Sequence, residues 1–389
     1  MFFKETIIYK FLQSIFRFLI SIKNSSIELI NLFAHYIITF WISLILPIFY
    51  FFKKKITIKK RSKKNNLKFN VILLYSKYSS FGDKKSSRFL SFENYSLLNT
   101  LKKIKVSNIF TYFFDSTLNR IPIISDFYFI YICTKNNINF ILLSGYNQYS
   151  ISGPNKFTLK FISENLKIKI ITFWWDSVGE SFYKTSKELI SLSYKNIYGD
   201  TSLVRDFYRS PILDLNLGTA INTDLISTRD IKNRDIDIIF LGSWDSYRNY
   251  RKDFLDKLNV LKEIGYKIYL GGGNGKKRLT FEEYFSLLGR SKICINFSEA
   301  PGGRHQVKGR VFEALASKCL LFESENSQTC SFFEINKEFV SFSNPDEMIR
   351  KINFYLQNQE YLVEIAERGN KKFSDNFNYY SYWKKIFDF

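Results

Sequence analysis

The residues best suited to chemistry gather in the second half of the chain. A strand-like run, Ile293-Cys294-Ile295-Asn296-Phe297-Ser298, passes into a glycine-containing basic stretch, Glu299 to Gly309, that carries Arg304, His305 and Lys308. That stretch leads into Arg310-Val311-Phe312-Glu313-Ala314-Leu315-Ala316, which reads as the opening of a helix. A helix start offers unpaired amides and the positive end of the peptide dipole, and so favours phosphate oxygens. Arg310 adds a fixed cation there, and Glu313 can accept hydrogen bonds from sugar or ribose hydroxyls. The plainer reading of Arg310 and Glu313 is an ordinary helix-start charge pair.

A second group follows the run Ile236 to Leu241: Gly242-Ser243-Trp244-Asp245-Ser246-Tyr247-Arg248, then a helix-like stretch holding Arg251 and Lys252. Glycine at the carboxyl end of a strand permits close approach of a ligand, and Arg248 or Arg251 beside the helix start is placed to meet a diphosphate. The run Gly271-Gly272-Gly273-Asn274-Gly275 lets the backbone turn sharply, but fits neither GxGxxG followed promptly by a helix nor GxxxxGK[ST]. In the first half, Phe173-Trp174-Trp175-Asp176-Ser177 closes a strand and puts Asp176 at its carboxyl end, a candidate base, with Gly82-Asp83 as a second candidate for the same cleft. The tryptophans serve packing or a ligand equally well. Only two histidines and four cysteines without CxxC spacing are present, so a zinc site is not expected. Asp235-Ile236-Asp237 has DxD spelling but opens a strand, so it points away from the cleft, and no bound cation is expected.

These groups need elements to hold them. Apolar runs at 69–75, 140–144 and 168–173 alternate with helical stretches at 91–105 and 156–165, and a second such series starts at Asp235. Strands alternating with helices imply a parallel sheet, so two α/β units in tandem are expected. Their carboxyl strand ends would hold the groups above. The stretch Leu213 to Asp230 reads as a hinge. The expected organisation is a helical membrane-associated segment at 1–66, Rossmann-like domains at 67–218 and 219–375, and a helix at 376–389 with packing against the first domain open.

The amino-terminal segment has its own pattern. Apolar residues from Ile7 to Ile20, interleaved with Lys4, Lys10 and Arg17, fit an amphipathic helix at a membrane surface. Leu29 to Phe52 runs 24 residues without Asp, Glu, Lys or Arg, enough to cross a bilayer, although Pro47 leaves a re-entrant helix open. The lysines from Lys53 to Lys64 that follow keep the rest of the chain in the cytoplasm by the positive-inside rule and would touch anionic headgroups. The formal charge of +21 suits an anionic partner, or reflects an AT-biased composition rich in Lys, Asn, Ile, Phe and Tyr. A nucleic-acid binder would show a basic stripe with stacking aromatics in place of this ordered α/β series, so no nucleic acid is expected.

With Asn296-Phe297-Ser298 followed by Arg310-Val311-Phe312-Glu313-Ala314-Leu315-Ala316, and the tail Asn344-Pro345-Asp346-Glu347 and Ala366-Glu367-Arg368-Gly369, residues 235–385 resemble the carboxyl-terminal domain of group 1 glycosyltransferases, particularly their CgeB-like branch. The resemblance implies a GT-B fold, two Rossmann-like domains facing a cleft. It implies an acceptor domain at 67–218, a donor domain at 219–375, and a sugar nucleotide as substrate with no further cofactor. The donor would be held by Gly242, Arg248, Arg304, His305, Lys308, Arg310 and Glu313, with Asp176 and Glu313 nearest the chemistry. It departs from the pattern in two places, and the first is the position eight residues before Glu313, often glutamate in the wider group and here His305. Ser317-Lys318 also stands where a glycine is common. The function implied is metal-independent transfer of a sugar to an envelope-glycan, lipid-linked or other acceptor at the membrane. A degenerate, non-catalytic GT-B protein, a basic membrane-surface or nucleic-acid-binding module, and a sugar-nucleotide epimerase are the alternatives.

Overall fold

The computed structural model describes residues 69–77, 90–104, 106–114, 116, 124–145, 153–175, 188–198, 214–244, 250–272, 279–300 and 304–388. The expected membrane-associated segment at 1–66 and the Gly82-Asp83 pair lie outside the described residues. No helix among those described is long and apolar enough to cross a membrane.

The first sheet is built from β1 (Asn70–Tyr75), β2 (Asn108–Phe113), β3 (Phe140–Ser144), β4 (Lys169–Trp174), β5 (Lys195–Tyr198) and β6 (Asp214–Asn216), all parallel, in the order β2-β1-β3-β4-β5-β6. Parallel strands covered on both faces read as continuous apolar runs. Val71, Leu73 and Tyr75 on one face and Ile72 and Leu74 on the other are all fully buried. Asp214–Asn216 falls inside the stretch read as a hinge. It is a short edge strand, pairing on one side only, and has no apolar run to announce it.

Between β1 and β2 lies α1, whose π-helical first turn (Asn94–Leu98) continues as α-helix (Asn99–Lys103). The next helices, α2 (Ile124–Lys135) and α3 (Lys156–Asn165), belong to a smaller compact unit that includes Phe114–Asn137 and the described part of Asn147–Lys167. Within it, Asp126 accepts from the Asn155 backbone (2.7 Å) and side chain (3.0 Å), and Asn155 in turn caps α3 through the amides of Phe157 and Thr158.

Both sheets belong to the larger unit. The second sheet contains β7 (Ile236–Leu241), β8 (Ile268–Gly271), β9 (Ser291–Asn296), β12 (Leu320–Ser324) and β13 (Val340–Phe342), parallel in the order β13-β12-β9-β7-β8. Its helices are α4 (Tyr250–Glu263), α5 (Phe281–Gly289), α6 (Gly309–Ala316), α7 (Pro345–Gln357) and α8 (Gln359–Asn376). The strand period of two sorts the packing. Ile238, Phe240, Ile293 and Ile295 meet Leu255 and Leu258 of α4, Met348 and Ile352 of α7 and Leu362 of α8. Ile239, Leu241 and Cys294 meet Phe285 and Leu288 of α5 and Val311 and Phe312 of α6. Local chemistry sets the helix starts: Thr280 and Glu283 form a capping box on α5, and Asn344 caps α7 ahead of Pro345.

The last helix, α9 (Tyr379–Phe387), leaves the second sheet and packs on the first. Tyr382, Trp383, Ile386 and Phe387 join Val71, Leu73, Leu142, Ile171 and Phe173 in one core. The Trp383 indole donates to Thr100 Oγ1 of α1 at 2.9 Å. At the carboxyl end of α9, buried Lys195 donates to the Lys385 and Ile386 carbonyls and pairs with Asp388 at 2.6 Å. Removing a fully buried indole leaves a cavity and costs its hydrogen bond, so Trp383→Ala should lose about 3 to 5 kcal/mol in urea unfolding of the full chain. A loss under about 1 kcal/mol would show that α9 is not integral to the first sheet's core.

Candidate functional site

In an open parallel sheet, ligands bind where neighbouring strands send their connections in opposite directions. In the second sheet that point lies between β7 and β9, outside their carboxyl ends. The β7 exit is Gly242-Ser243, the β9 exit Phe297-Ser298, and β12 brings Glu323 alongside. Gly242 donates to the Gly271 carbonyl at 2.8 Å. Gly272 has φ +88°, and a Cβ there would come 3.1 Å from the Gly242 nitrogen, so the β7 and β8 exits meet backbone to backbone.

Arg310 fills the space behind this turn. A Cβ on Gly242 would lie 3.0 Å from one terminal nitrogen of the Arg310 guanidinium and 3.2 Å from the other, and the guanidinium sits 5.5 Å over the Phe240 ring. Nη1 donates to Asn296 Oδ1 at 2.9 Å, while the buried Nε has no hydrogen-bond partner among the described residues. The Asn296 amide nitrogen donates to Glu323 Oε2 (2.6 Å) and Ser298 Oγ (3.0 Å). Asn296, Ser298 and Glu323 are all fully buried. Burial raises Glu323 to about 7, against the opposing effects of the Ser298 and Asn296 hydrogen bonds and the Arg310 charge.

Glu313, three residues further along α6, is 8% exposed and accepts a hydrogen bond from Tyr284 of α5. Burial raises its pKa, opposed by Tyr284 and Arg310. Burial and the adjacent Glu313 push the Tyr284 phenol well above its ordinary range. The carboxylate read as open to hydroxyls thus already has a protein partner. Lys308 stands at the N-cap of α6, where no side chain caps the helix, and the Val311 amide donates to the Lys308 carbonyl at 3.0 Å.

The structure therefore brings Gly242, Lys308, Arg310 and Glu313 to one sheet end and its following helix. Arg304 and His305 lie in a two-stranded hairpin, β10 (Glu299–Ala300) with β11 (Arg304–His305), where the sequence suggested a loop, and their side chains lie outside the described residues. Asp176 and Arg248 also lie outside them. Arg251, the alternative to Arg248, serves otherwise: 3% exposed, it donates to the Ser243 (2.8 Å) and Phe297 (3.0 Å) carbonyls and ties the β7 and β9 exits together. Asp235 and Asp237 pair with Arg290, Arg229 and Lys292 at the opposite strand ends. Among the described residues no group of three or more His, Cys, Asp or Glu is placed to hold a metal ion.

At the corresponding point of the first sheet, between β1 and β3, stands a carboxylate that sequence reasoning missed. Glu93 Oε1 accepts from Ser144 Oγ at 2.9 Å, and Ser144 accepts from the Trp175 indole at 2.7 Å. Only the carboxyl-end position of Ser144 hinted at it. Phe92 and Tyr95 beside it reach the second sheet's elements, Tyr95 stacking on Phe281 with ring centres 4.1 Å apart.

Residues 248–388 match the family model described as glycosyl transferase-like. No curated protein matches the sequence. Among solved structures, the chain is similar to HepE of Anabaena in complex with UDP and glucose (TM-score 0.54, 11% identity, 82% of this chain and 98% of that one). It is similar to sucrose-phosphate synthase of Thermosynechococcus elongatus (TM-score 0.54, 11% identity, 82% and 100%) and a glycosyltransferase of Rickettsia africae (TM-score 0.52, 13% identity, 82% and 97%). At these identities the likeness establishes the fold: two parallel α/β sheets of the GT-B kind.

Glu323 gives this site a pH signature. Its folded pKa of about 7 stands above the ordinary 4.5, so the unfolded chain releases this proton first as pH rises. The stability tied to it is complete below pH 4.5 and lost by about pH 7. The titratable groups around it are Arg310, Cys294 and Cys330. Glu323→Gln, neutral throughout, should therefore gain about 3 kcal/mol on the wild type between pH 4.5 and 8 in parallel urea titrations. A difference that does not change with pH would place Glu323 in a solvated setting.

Proposed function

We propose that the chain is a nucleotide-sugar-dependent glycosyltransferase, with the donor diphosphate held at the β7 and β9 exits. The carrying observation is the Arg310 guanidinium, clamped by Asn296 against the glycine turn that ends β7, with its Nε left without a partner. A preset cation beside the amino end of a helix stabilises charge that grows on a leaving diphosphate. The Asn296-x-Ser298 and Arg310-x-Phe312-Glu313 pattern is our reason to favour the CgeB-like branch. UDP is the nucleotide we favour, since HepE was crystallised with it.

In the reaction, the bond from the sugar C1 to the diphosphate oxygen breaks and one from C1 to an acceptor hydroxyl oxygen forms. The acceptor proton passes to a carboxylate of the first domain, for which Asp176 is our candidate. Arg310, Lys308 and the amino end of α6 meet the departing charge without requiring a metal; Gly242, Arg248, Arg304 and His305 complete the proposed donor set. Glu313, oriented by Tyr284, would face the ribose or sugar. We assign 67–218 to the acceptor and 219–375 to the donor. The apolar 29–52 segment and the lysines after it suggest an anchor that keeps the catalytic domains at the cytoplasmic membrane face, where an envelope-glycan or lipid-linked acceptor is found.

The test is nucleotide release from UDP-sugars by the full chain with membrane-lipid and glycan acceptors. Arg310→Ala should lower kcat/KM about 100-fold or more, as loss of a preorganised charge-stabilising group does. Turnover unchanged in Arg310→Ala would refute this donor site.

A further inference from the structure

Arg310 does not reach its place alone. Its partner, the Asn296 side chain, has a carbonyl oxygen and an amide nitrogen at nearly equal reach, and only one orientation puts the oxygen toward a guanidinium. Glu323 selects that orientation. An ionised carboxylate only accepts hydrogen bonds, so it draws the Asn296 amide nitrogen to Oε2 (2.6 Å) and turns Oδ1 toward Arg310 Nη1 (2.9 Å). Ser298 Oγ accepts from the same nitrogen at 3.0 Å and reinforces the choice. The result is a chain of fixed direction, from carboxylate through amide to guanidinium, and it ends beside the Gly242 backbone.

This arrangement is costly. Glu323 is 0% exposed, and its Oε1 is buried with no hydrogen-bond partner among the described residues. A strand position between Phe322 and Ser324 has no packing need for a carboxylate, and a neutral side chain of the same size would avoid the desolvation. A group retained against stability is best understood through what it orients.

We propose that Glu323, acting through Asn296, is a positioning residue that aims the Arg310 guanidinium at the β7 exit where the donor diphosphate is held; this rests on the donor-site reading above. It contacts no substrate itself. Its contribution is to affinity for the diphosphate, with none for the nucleoside.

The test uses the full chain at pH 8, with UDP and uridine as probes and urea unfolding in parallel. Glu323→Gln lets the Asn296 amide turn over, so UDP should bind about fivefold more weakly or worse while uridine binding is unchanged. The same variant should be as stable as the wild type or more so, which a merely structural residue would not give. In an Arg310→Ala background, Glu323→Gln should bring no further loss of UDP affinity, because its effect passes through the missing guanidinium. Asn296→Ala cuts the link with both charges in place and should reproduce the UDP-selective loss if Glu323→Gln does not fold. UDP affinity that falls in Arg310→Ala but holds in folded Glu323→Gln or Asn296→Ala would overturn the positioning role alone. No UDP binding by the wild type would overturn the donor-site reading and this inference with it.

Discussion

A partly buried guanidinium beside the end of a central strand is the constraint on which the rest of the site depends. A Cβ on residue 242 would come within 3.0 Å of the Arg310 guanidinium and the Phe240 ring, so glycine at the β7 exit lets the backbone lie close to the cation. A cation drawn partly out of water needs partners, and Asn296 supplies one from the end of β9, itself held by Glu323 of β12. The ends of β9 and β12 and the first turn of α6 are therefore joined by one hydrogen-bonded chain, and the β7 exit lies against its guanidinium. Arg251 does similar work from α4, holding the Ser243 and Phe297 carbonyls together.

The same helix couples the site to the chain's midpoint. Phe312, two residues after Arg310, packs so closely on Gly218 that a Cβ there would lie 2.2 Å from its ring. From Gly218 the chain runs on to Ala220, whose carbonyl accepts from Ser96 of α1, and to Asn222, which accepts from Lys103 of the same helix. The α1 helix also presents Tyr95 to Phe281 and Thr100 to Trp383. The groups at the two sheet ends are thus linked by short, mostly side-chain contacts that pass through one helix.

Much of the scaffold was legible because parallel strands buried on both faces leave apolar runs, as at residues 140–143 and 238–241. Asp214–Asn216 was not, since an edge strand of three residues has no such run. That Gly242 and Arg310 would share one donor site was read from the resemblance, but their direct approach was not. Which arginine would serve which role was not legible either, because Arg251 and Arg310 sit in similar sequence contexts and only the neighbouring strand ends separate them. Glu323 was invisible for a different reason: inside Leu320–Ser324 it looks like an interruption of an apolar strand, and its partners Asn296 and Arg310 are remote in sequence. Glu93 was missed likewise, since its partner Ser144 comes from a strand 51 residues later. The segment at 1–66, Asp176 and Arg248 lie outside the described residues and stay as read from the sequence.

Amide hydrogen exchange of the full chain with and without UDP tests the central claim most directly, since it reports where the nucleotide sits without altering any residue. The account predicts added protection at the β7 exit, residues 241–243, and at the start of α6, residues 308–313, with the strand interiors of both sheets unchanged. Protection confined to the first sheet's carboxyl ends, or none at the β7 exit and α6 under saturating UDP, would contradict it.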